Sequence, residues 1–301
     1  MRTCILLSTF NGAMYVREQL QSLLLQSVLP SCVVIRDDGS TDSTLAIVGE
    51  VFTGSDIEVT VSAGKNMGPQ ESFRELMLMG LKTNADVFFF CDQDDVWEET
   101  KIEVFLREFI HDPAVPMAVF SRLLLVDAGN APIGLSRPPN RIGLGNALVE
   151  NVMTGCALAI NRSQVQIAAR IRIDPPIMHD HHVYILASLF GRSRYIEAPL
   201  TRYRQHGGNV VGYSSSFWDS IFRKVGRIAR GEGYRKSLLA EQILTLVGDD
   251  ISPSQRETLR LVSDCPRSLL ARLRLVLSGR LWRQKLLDEI AWRILCLSGH
   301  F

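Results

Sequence analysis

The chain has 301 residues, 46% hydrophobic and 22% charged, with 33 Lys+Arg against 32 Asp+Glu. These values exclude a disordered, collagen-like or coiled-coil chain and describe a soluble globular protein with room for one large α/β domain and an appendage. The net charge of +1 conceals an asymmetry: residues 1–216 hold 18 basic and 23 acidic residues, or −5, and the last 85 hold 15 and 9, or +6.

The six cysteines show no C-x-x-C and no paired spacing, and four lie in apolar runs that read as strands, which points to a reduced cytosolic compartment. Residues 1–11 contain one Arg and too short an apolar core for a secretory signal. No apolar run approaches the roughly 18 residues of a membrane span, so any membrane association would be peripheral, on the inner face of the cytoplasmic membrane.

The first half alternates short β-rich runs with amphipathic helical segments, the pattern of a largely parallel sheet flanked by helices. Strands are predicted at Cys4–Thr9, Cys32–Arg36, Ile57–Ser62, Val87–Cys91 and Met117–Val126, with helices at Tyr15–Ser27, Asp42–Phe52, Pro69–Leu81 and Glu98–Ile110 between them. From Asp127 to Gly145 the chain is rich in Gly, Pro and Asn without periodicity and reads as a long loop on the acceptor side. A strand at Gly155–Ile160, helices at Ser163–Ile171 and His181–Phe190, and a strand at Arg194–Tyr203 follow; beyond Ser214 only basic helices are expected. Residues 1–214 are thus read as one α/β domain in two halves, 1–126 and 127–214, and residues 215–301 as a basic helical region.

In an open parallel sheet, ligands bind outside the carboxyl ends of the strands. Here those ends are Ser8-Thr9-Phe10-Asn11-Gly12, Asp37-Asp38-Gly39-Ser40, Gly64-Lys65-Asn66-Met67-Gly68 and Asp92-Gln93-Asp94-Asp95. No Rossmann G-x-G-x-x-G follows the first strand and no G-x-x-x-x-G-K-[ST] occurs, which argues against a nicotinamide enzyme and a P-loop ATPase. Three carboxylates within four residues after a buried strand repel one another; a hard divalent ion, Mg²⁺ or Mn²⁺, relieves that, and a solvated acidic turn before a helix is the structural alternative. Asp37 and Asp38 fit nucleoside recognition as well as a simple Asp-Gly turn. Asp180, after a Pro-Pro break, fits a general base or a helix cap. Arg202 and Arg204, beside His206, fit phosphate binding or a surface basic cluster, and Lys65 fits phosphate or a solvated loop. A zinc reading of His179, His181 and His182 is disfavoured because the spacing is not i,i+4 and no cysteine accompanies it.

The series Ser8-Thr9-Phe10-Asn11, Asp37-Asp38-Gly39-Ser40-Thr41-Asp42, Asn66-Met67-Gly68 and Asp92-Gln93-Asp94-Asp95-Val96-Trp97 with Lys101-Ile102 resembles family-2 inverting glycosyltransferases of the GT-A fold, over about residues 1–212. Thr154-Gly155-Cys156, His179-Asp180 and Tyr203-Arg204-Gln205-His206-Gly207-Gly208-Asn209-Val210 are similar to the branch that includes bacterial rhamnosyltransferases. The resemblance implies Thr9 and Asp38 on the nucleoside, with Phe10, Asn11 and Asn66 nearby, Asp92 and Asp94 as the DxD signature, Asp94 or Asp95 on the metal, Asp180 as catalytic base and His206 near the metal or diphosphate. Phe10 stands where many members have Tyr, and His181-His182 where relatives often carry aromatics. The implied reaction moves a sugar, L-rhamnose from dTDP-L-rhamnose, onto a lipid-linked cell-surface polysaccharide. A UDP-hexose donor, a metal-dependent nucleotidyltransferase and a non-catalytic glycan-binding module are the competing readings. No nucleic acid is expected as a partner. The basic tail, from Phe217-Trp218 to Arg230 and from Pro266 to Leu297, fits either an anionic membrane surface or a subdomain packed on the body.

Overall fold

The computed structural model describes residues 1–109, 112–206 and 235–299. The Gly207-to-Val210 part of the motif and the basic stretch from Phe217 to Arg230 lie outside the described residues. Contacts divide the chain into two compact units, Met1–Pro138 with Met153–Gly208, and Pro139–Val152 with Asn209–Phe301.

The first unit is built on a sheet whose core strands are apolar on both faces. Strands β1 (Thr3–Thr9), β2 (Cys32–Asp37) and β4 (Val87–Cys91) are buried along almost their whole length, as parallel strands covered by helices must be. Strand β3 (Glu58–Ala63) alternates exposed and half-buried residues and closes one edge. Helices α1 (Val16–Leu24), α2 (Thr44–Phe52) and α3 (Gly68–Gly80) connect these strands, and α1 buries Val16, Leu20 and Leu23 on one face. The order β3-β2-β1-β4 is parallel throughout, so all four polar strand ends share one edge, as the sequence pattern predicts.

Beyond β4 the sheet changes character. After the short β5 (Val96–Trp97) and helix α4 (Lys101–Glu108), strand β6 (Met117–Val126) lies two places from β4, and β8 (Leu158–Asn161) fills the gap antiparallel to both. The final long strand β9 (Arg192–Arg204) runs parallel to β6 and pairs antiparallel with β5. The sheet is therefore mixed, parallel over β3-β2-β1-β4 and antiparallel around β8. The reason is the entry point of β8: it starts at the carboxyl edge of β4 and runs back toward Val87, and so delivers Thr154-Gly155-Cys156 to the acidic strand end.

Residues 127–145 are not the featureless loop that their composition suggests. Asp127 turns the chain by accepting hydrogen bonds at Oδ1 from the backbone N–H groups of Gly129 and Ala131, with Asn130 left-handed at φ 67°. The returning strand β7 (Pro132–Leu135) pairs with β6. Residues 139–152, with the short helix α5 (Leu144–Ala147), then join the second unit, so the contact-defined division does not follow a single cut at residue 214.

Helices α6 (Arg162–Arg170) and α7 (His179–Phe190) complete the first unit, α6 capped by Asn161, whose Oδ1 accepts from the backbone N–H of Gln164. The second unit contains α8 (Arg235–Val247), α9 (Pro253–Asp264), α10 (Leu269–Leu277) and α11 (Leu286–Ser298). Its centre is an elbow around Trp282. The Arg141 guanidinium stacks 3.7 Å from the Trp282 ring, Asn146 donates to the Trp282 carbonyl, and Glu150 accepts from the Gln284 backbone. At Gly145 a Cβ would fall 1.8 Å from the Arg280 carbonyl oxygen, so only glycine allows this approach.

Arg162 ties the start of β4 to the end of α3 by donating to the carbonyls of Ala85, Leu81 and Thr83. Arg162→Ala strands these acceptors and is expected to cost about 3 kcal/mol, read as a lower urea midpoint with unchanged slope.

Candidate active site

The edge formed by the carboxyl ends of β1, β2 and β4 is organised by side chains that hold backbone. Asp37 is fully committed to the turn after β2: Oδ1 accepts from the N–H groups of Gly39 and Ser40, and Oδ2 from the hydroxyls of Thr9 and Ser40. Thr9 is thus buried, its hydroxyl spent on Asp37 at 2.8 Å. Asn11, left-handed at φ 47°, accepts at Oδ1 from the Thr41 backbone N–H. Asp38 is also buried. It accepts from Ser72 Oγ at 2.5 Å and from the Met67 N–H at 3.3 Å, with Arg36 3.5 Å away. Phe10, Lys65 and Asn66 lie exposed at the same edge, and Asn66 Oδ1 caps the Gly68 N–H.

Gln93, the middle residue of the acidic turn, was not singled out in the sequence. It pairs with the Phe10 backbone in both directions, accepting from N–H at 2.8 Å and donating to the carbonyl at 3.0 Å, and so fixes the end of β1 against the end of β4. A Cβ at residue 12 would fall 2.1 Å from the Gln93 side-chain oxygen, which explains Gly12.

The three aspartates of the turn diverge. Asp94 Oδ2 lies 2.7 Å from His206 Nε2, and the His206 ring packs on Tyr15. Asp95 is buried; its Oδ1 accepts from the Arg204 backbone N–H, while Oδ2 receives no N–H or O–H. Asp92, Asp95 and Cys156 bring ligand atoms within 4.8 Å of one another. Burial, followed by the Asp94 charge, raises the Asp95 carboxyl to about 7. Burial and then the charges of Asp95, Asp94 and Asp180 push Asp92 well above the carboxylate range. Asp180 sits in the first turn of α7 with Oδ1 accepting from the His181 N–H at 2.6 Å, inside the helix rather than as its cap. Helix α7 therefore brings Asp180 into the field of the acidic turn.

Two buried cations support this cluster. Lys101 donates to the Cys156 carbonyl at 2.6 Å and lies 3.5 Å from the Trp97 ring centroid; burial lowers its ammonium to about 8. Arg204, only 2% exposed, donates to the carbonyls of Asp94 and Ala128 and to Glu18 Oε2. Its guanidinium therefore braces the acidic turn, while Arg202 pairs with Glu98 at 2.9 Å. Among the described residues, His179, His181 and His182 form no metal-ligating group. His179 is instead a buried ring stacked on Phe73 and Phe90, and Gly155 leaves room for it, since a Cβ there would fall 2.4 Å from its Nε2.

The acidic turn offers a donor set to a divalent cation. In the group formed by Asp92, Asp95 and Cys156 two carboxylates stand with one thiol, and the buried Asp95 Oδ2 has no hydrogen-bond partner.

A parallel half β3-β2-β1-β4, an Asp-x-Asp turn at its carboxyl edge and an antiparallel return make up the GT-A fold. Solved structures agree: S. aureus TarS 1-349 in complex with UDP superimposes with TM-score 0.58 at 17% identity, covering 100% of this chain and 80% of that one. The mannosyltransferase PcManGT from Pyrobaculum calidifontis, in complex with GDP-Man and Mn²⁺, gives 0.56 at 16% identity, covering 99% and 73%. Residues 4–147 match the family model "Glycosyl transferase family 2". It is similar to the dTDP-rhamnosyl transferase RfbG of Shigella flexneri, 27% identical over 259 residues, 81% of this chain and 85% of that protein.

Burial lowers the His179 imidazole from 6.5 to about 3. The unfolded chain thus binds a proton below pH ~6.5 that the fold refuses, and stability falls as pH drops from there toward 3. Thermal or urea unfolding between pH 7 and 5 is expected to show a slope of up to about 1.4 kcal/mol per unit from this residue, absent in His179→Phe. Equal slopes in the two proteins would mean that His179 carries its proton in the fold.

Proposed function

We propose that this chain is an inverting, metal-dependent transferase that takes L-rhamnose from dTDP-L-rhamnose and attaches it to a lipid-linked cell-surface polysaccharide on the cytoplasmic face of the membrane. The observation that carries the reading is the acidic turn at the carboxyl end of β4, where Asp92, Asp95 and Cys156 bring ligand atoms within 4.8 Å of one another; the charge of Asp180, from a separate helix, also acts on Asp92. Similarity to RfbG over four-fifths of the chain supports the donor.

In this reading Asp38 receives the pyrimidine, with Phe10, Asn11, Lys65 and Asn66 around the nucleoside and diphosphate. Thr9 and Arg204 act from beneath, by fixing Asp37 and the acidic turn, and Arg202 stands at the rim. Asp94 and His206, with Asp92 and Asp95, would hold Mg²⁺ or Mn²⁺. Held there, a divalent cation supplies countercharge to the leaving diphosphate. The acceptor hydroxyl oxygen attacks the anomeric carbon from the face opposite the diphosphate. The bond from that carbon to the diphosphate oxygen breaks with its electron pair, and the hydroxyl proton passes to the Asp180 carboxylate.

Titration calorimetry with dTDP, UDP and GDP, with Mn²⁺ or with chelator, tests the donor and the metal. dTDP is expected to bind best and only with the cation, and to weaken about tenfold or more in Asp94→Ala and His206→Ala. Binding that ignores both chelator and these changes would contradict the reading.

Asp180→Asn separates chemistry from binding. Transfer from dTDP-L-rhamnose is expected to fall about 10²- to 10⁴-fold while dTDP affinity stays within about twofold. Retained turnover would remove Asp180 from the base role.

A further inference from the structure

Helices α10 and α11 carry their large apolar residues on the wrong side for a globular unit. At about 100° per residue, the exposed Leu269, Leu270, Leu273 and Leu277 of α10 fall within about 100° of arc, and the buried Leu275 lies opposite them. Helix α11 repeats the spacing: Leu286, Leu287, Ile290, Ile294 and Leu297 share an exposed arc of the same width, opposite Trp292. Leu277 is 82% exposed and Leu286 75%.

The two helices pack antiparallel. Arg272 of α10 donates to the Leu297 carbonyl near the end of α11, and Arg293 of α11 donates to the Val276 carbonyl near the end of α10. Each leucine arc lies about a quarter turn from its own contact arginine, in the same rotational sense along its own helix. In an antiparallel pair, equal rotations of that kind bring both arcs to one face. The result is a single sheet of aliphatic side chains, which soluble surfaces rarely present.

Charge selects the occupant. Residues 267–299 contain seven Lys or Arg and two Asp or Glu. Arg267, Arg280, Arg283 and Arg293 are paired with carboxylates of the same unit, whereas Arg274, next to Leu273, and Lys285, next to Leu286, are exposed. A second copy of the same face would set these two cations against their own counterparts, whereas an anionic lipid surface takes both the aliphatic face and the cations.

We propose that the α10–α11 hairpin is the membrane-docking surface of this chain, its leucine face entering the acyl boundary of an anionic bilayer while Arg274 and Lys285 meet lipid phosphates. The surface stands on the hairpin alone and does not depend on the sugar or acceptor assigned above, so failure of the transfer assay leaves it unaffected.

The test is cosedimentation of the full chain with vesicles of equal parts phosphatidylglycerol and phosphatidylcholine, and with phosphatidylcholine alone, at low and high salt. Binding is expected to the anionic vesicles and to weaken with salt. Leu277→Asp combined with Ile294→Asp should weaken it about tenfold or more, and Arg274→Glu should lower its salt dependence. These positions are exposed, so unchanged circular dichroism and melting are expected alongside. A chain that ignores anionic vesicles at low salt overturns the proposal. So does undiminished binding by the double variant, which would move the contact elsewhere, including to residues 207–234. A dimer in solution that the same double variant dissociates overturns it in favour of a second copy.

Discussion

The structure depends on holding like charges together at the end of one buried strand. Asp92, Asp94 and Asp95 leave β4 side by side, and α7 adds the field of Asp180. At an effective dielectric constant near 20, two unit charges about 6 Å apart repel by about 3 kcal/mol, a sizeable share of a domain's stability. The protein sets cations near the cluster without spending carboxylate oxygens on them. Lys101 donates to the Cys156 carbonyl and lies against Trp97, yet its charge still lowers Asp92 and Asp95. Arg204 gives its guanidinium to two carbonyls and Glu18, and only its backbone N–H to Asp95. The field is softened and the oxygens that a cation needs remain. Had either base paired directly with the turn, it would have competed with any metal for the same lone pairs.

That division of labour explains which parts of the site were legible in the sequence. The polar strand ends could be read because a parallel sheet places every carboxyl end on one edge, and β3-β2-β1-β4 is parallel. What each residue does there was not legible, because its partner lies far along the chain. Thr9 and Asp38 read alike as nucleoside contacts, yet Thr9 is spent on Asp37, 28 residues away, and Asp38 is anchored by Ser72, 34 residues away. Gln93 carried no signal, since a glutamine between aspartates looks like filler until its amide is seen against the Phe10 backbone. Gly155 became intelligible only through His179, whose ring occupies the space that a Cβ would need.

The fold was legible where hydrophobic periodicity decides it and obscure where pairing direction does. Buried strands such as Val87–Cys91 announce themselves, but the four-residue strand Leu158–Asn161 carries no mark of whether it runs up or down beside β4. Composition also misled over residues 127–145. A Gly-, Pro- and Asn-rich stretch served both as an Asp127-centred hairpin and as the lead into Pro139–Val152, which Trp282 and Gln284 recruit to the helical unit. Those attachments join residues more than 130 positions apart, beyond the reach of any local pattern.

The helical unit solves its own stability problem in an unusual order. A surface helix ordinarily gains most from turning its apolar arc inward, but α10 buries only Leu275 fully and α11 only Trp292 and Cys296. Cohesion comes instead from arginines placed on backbone carbonyls, Arg272 on Leu297 and Arg293 on Val276 and Leu281, and from the elbow that binds Glu150 to Arg283 and Gln284. Guanidinium groups at helix carboxyl ends meet otherwise unpaired carbonyls and the negative end of the dipole, so they hold the hairpin without consuming its leucines. The same residues that make the region basic therefore also release its aliphatic face from internal duty. Basicity and exposed hydrophobicity, which look like separate compositional traits of residues 267–299, are two results of one way of packing helices.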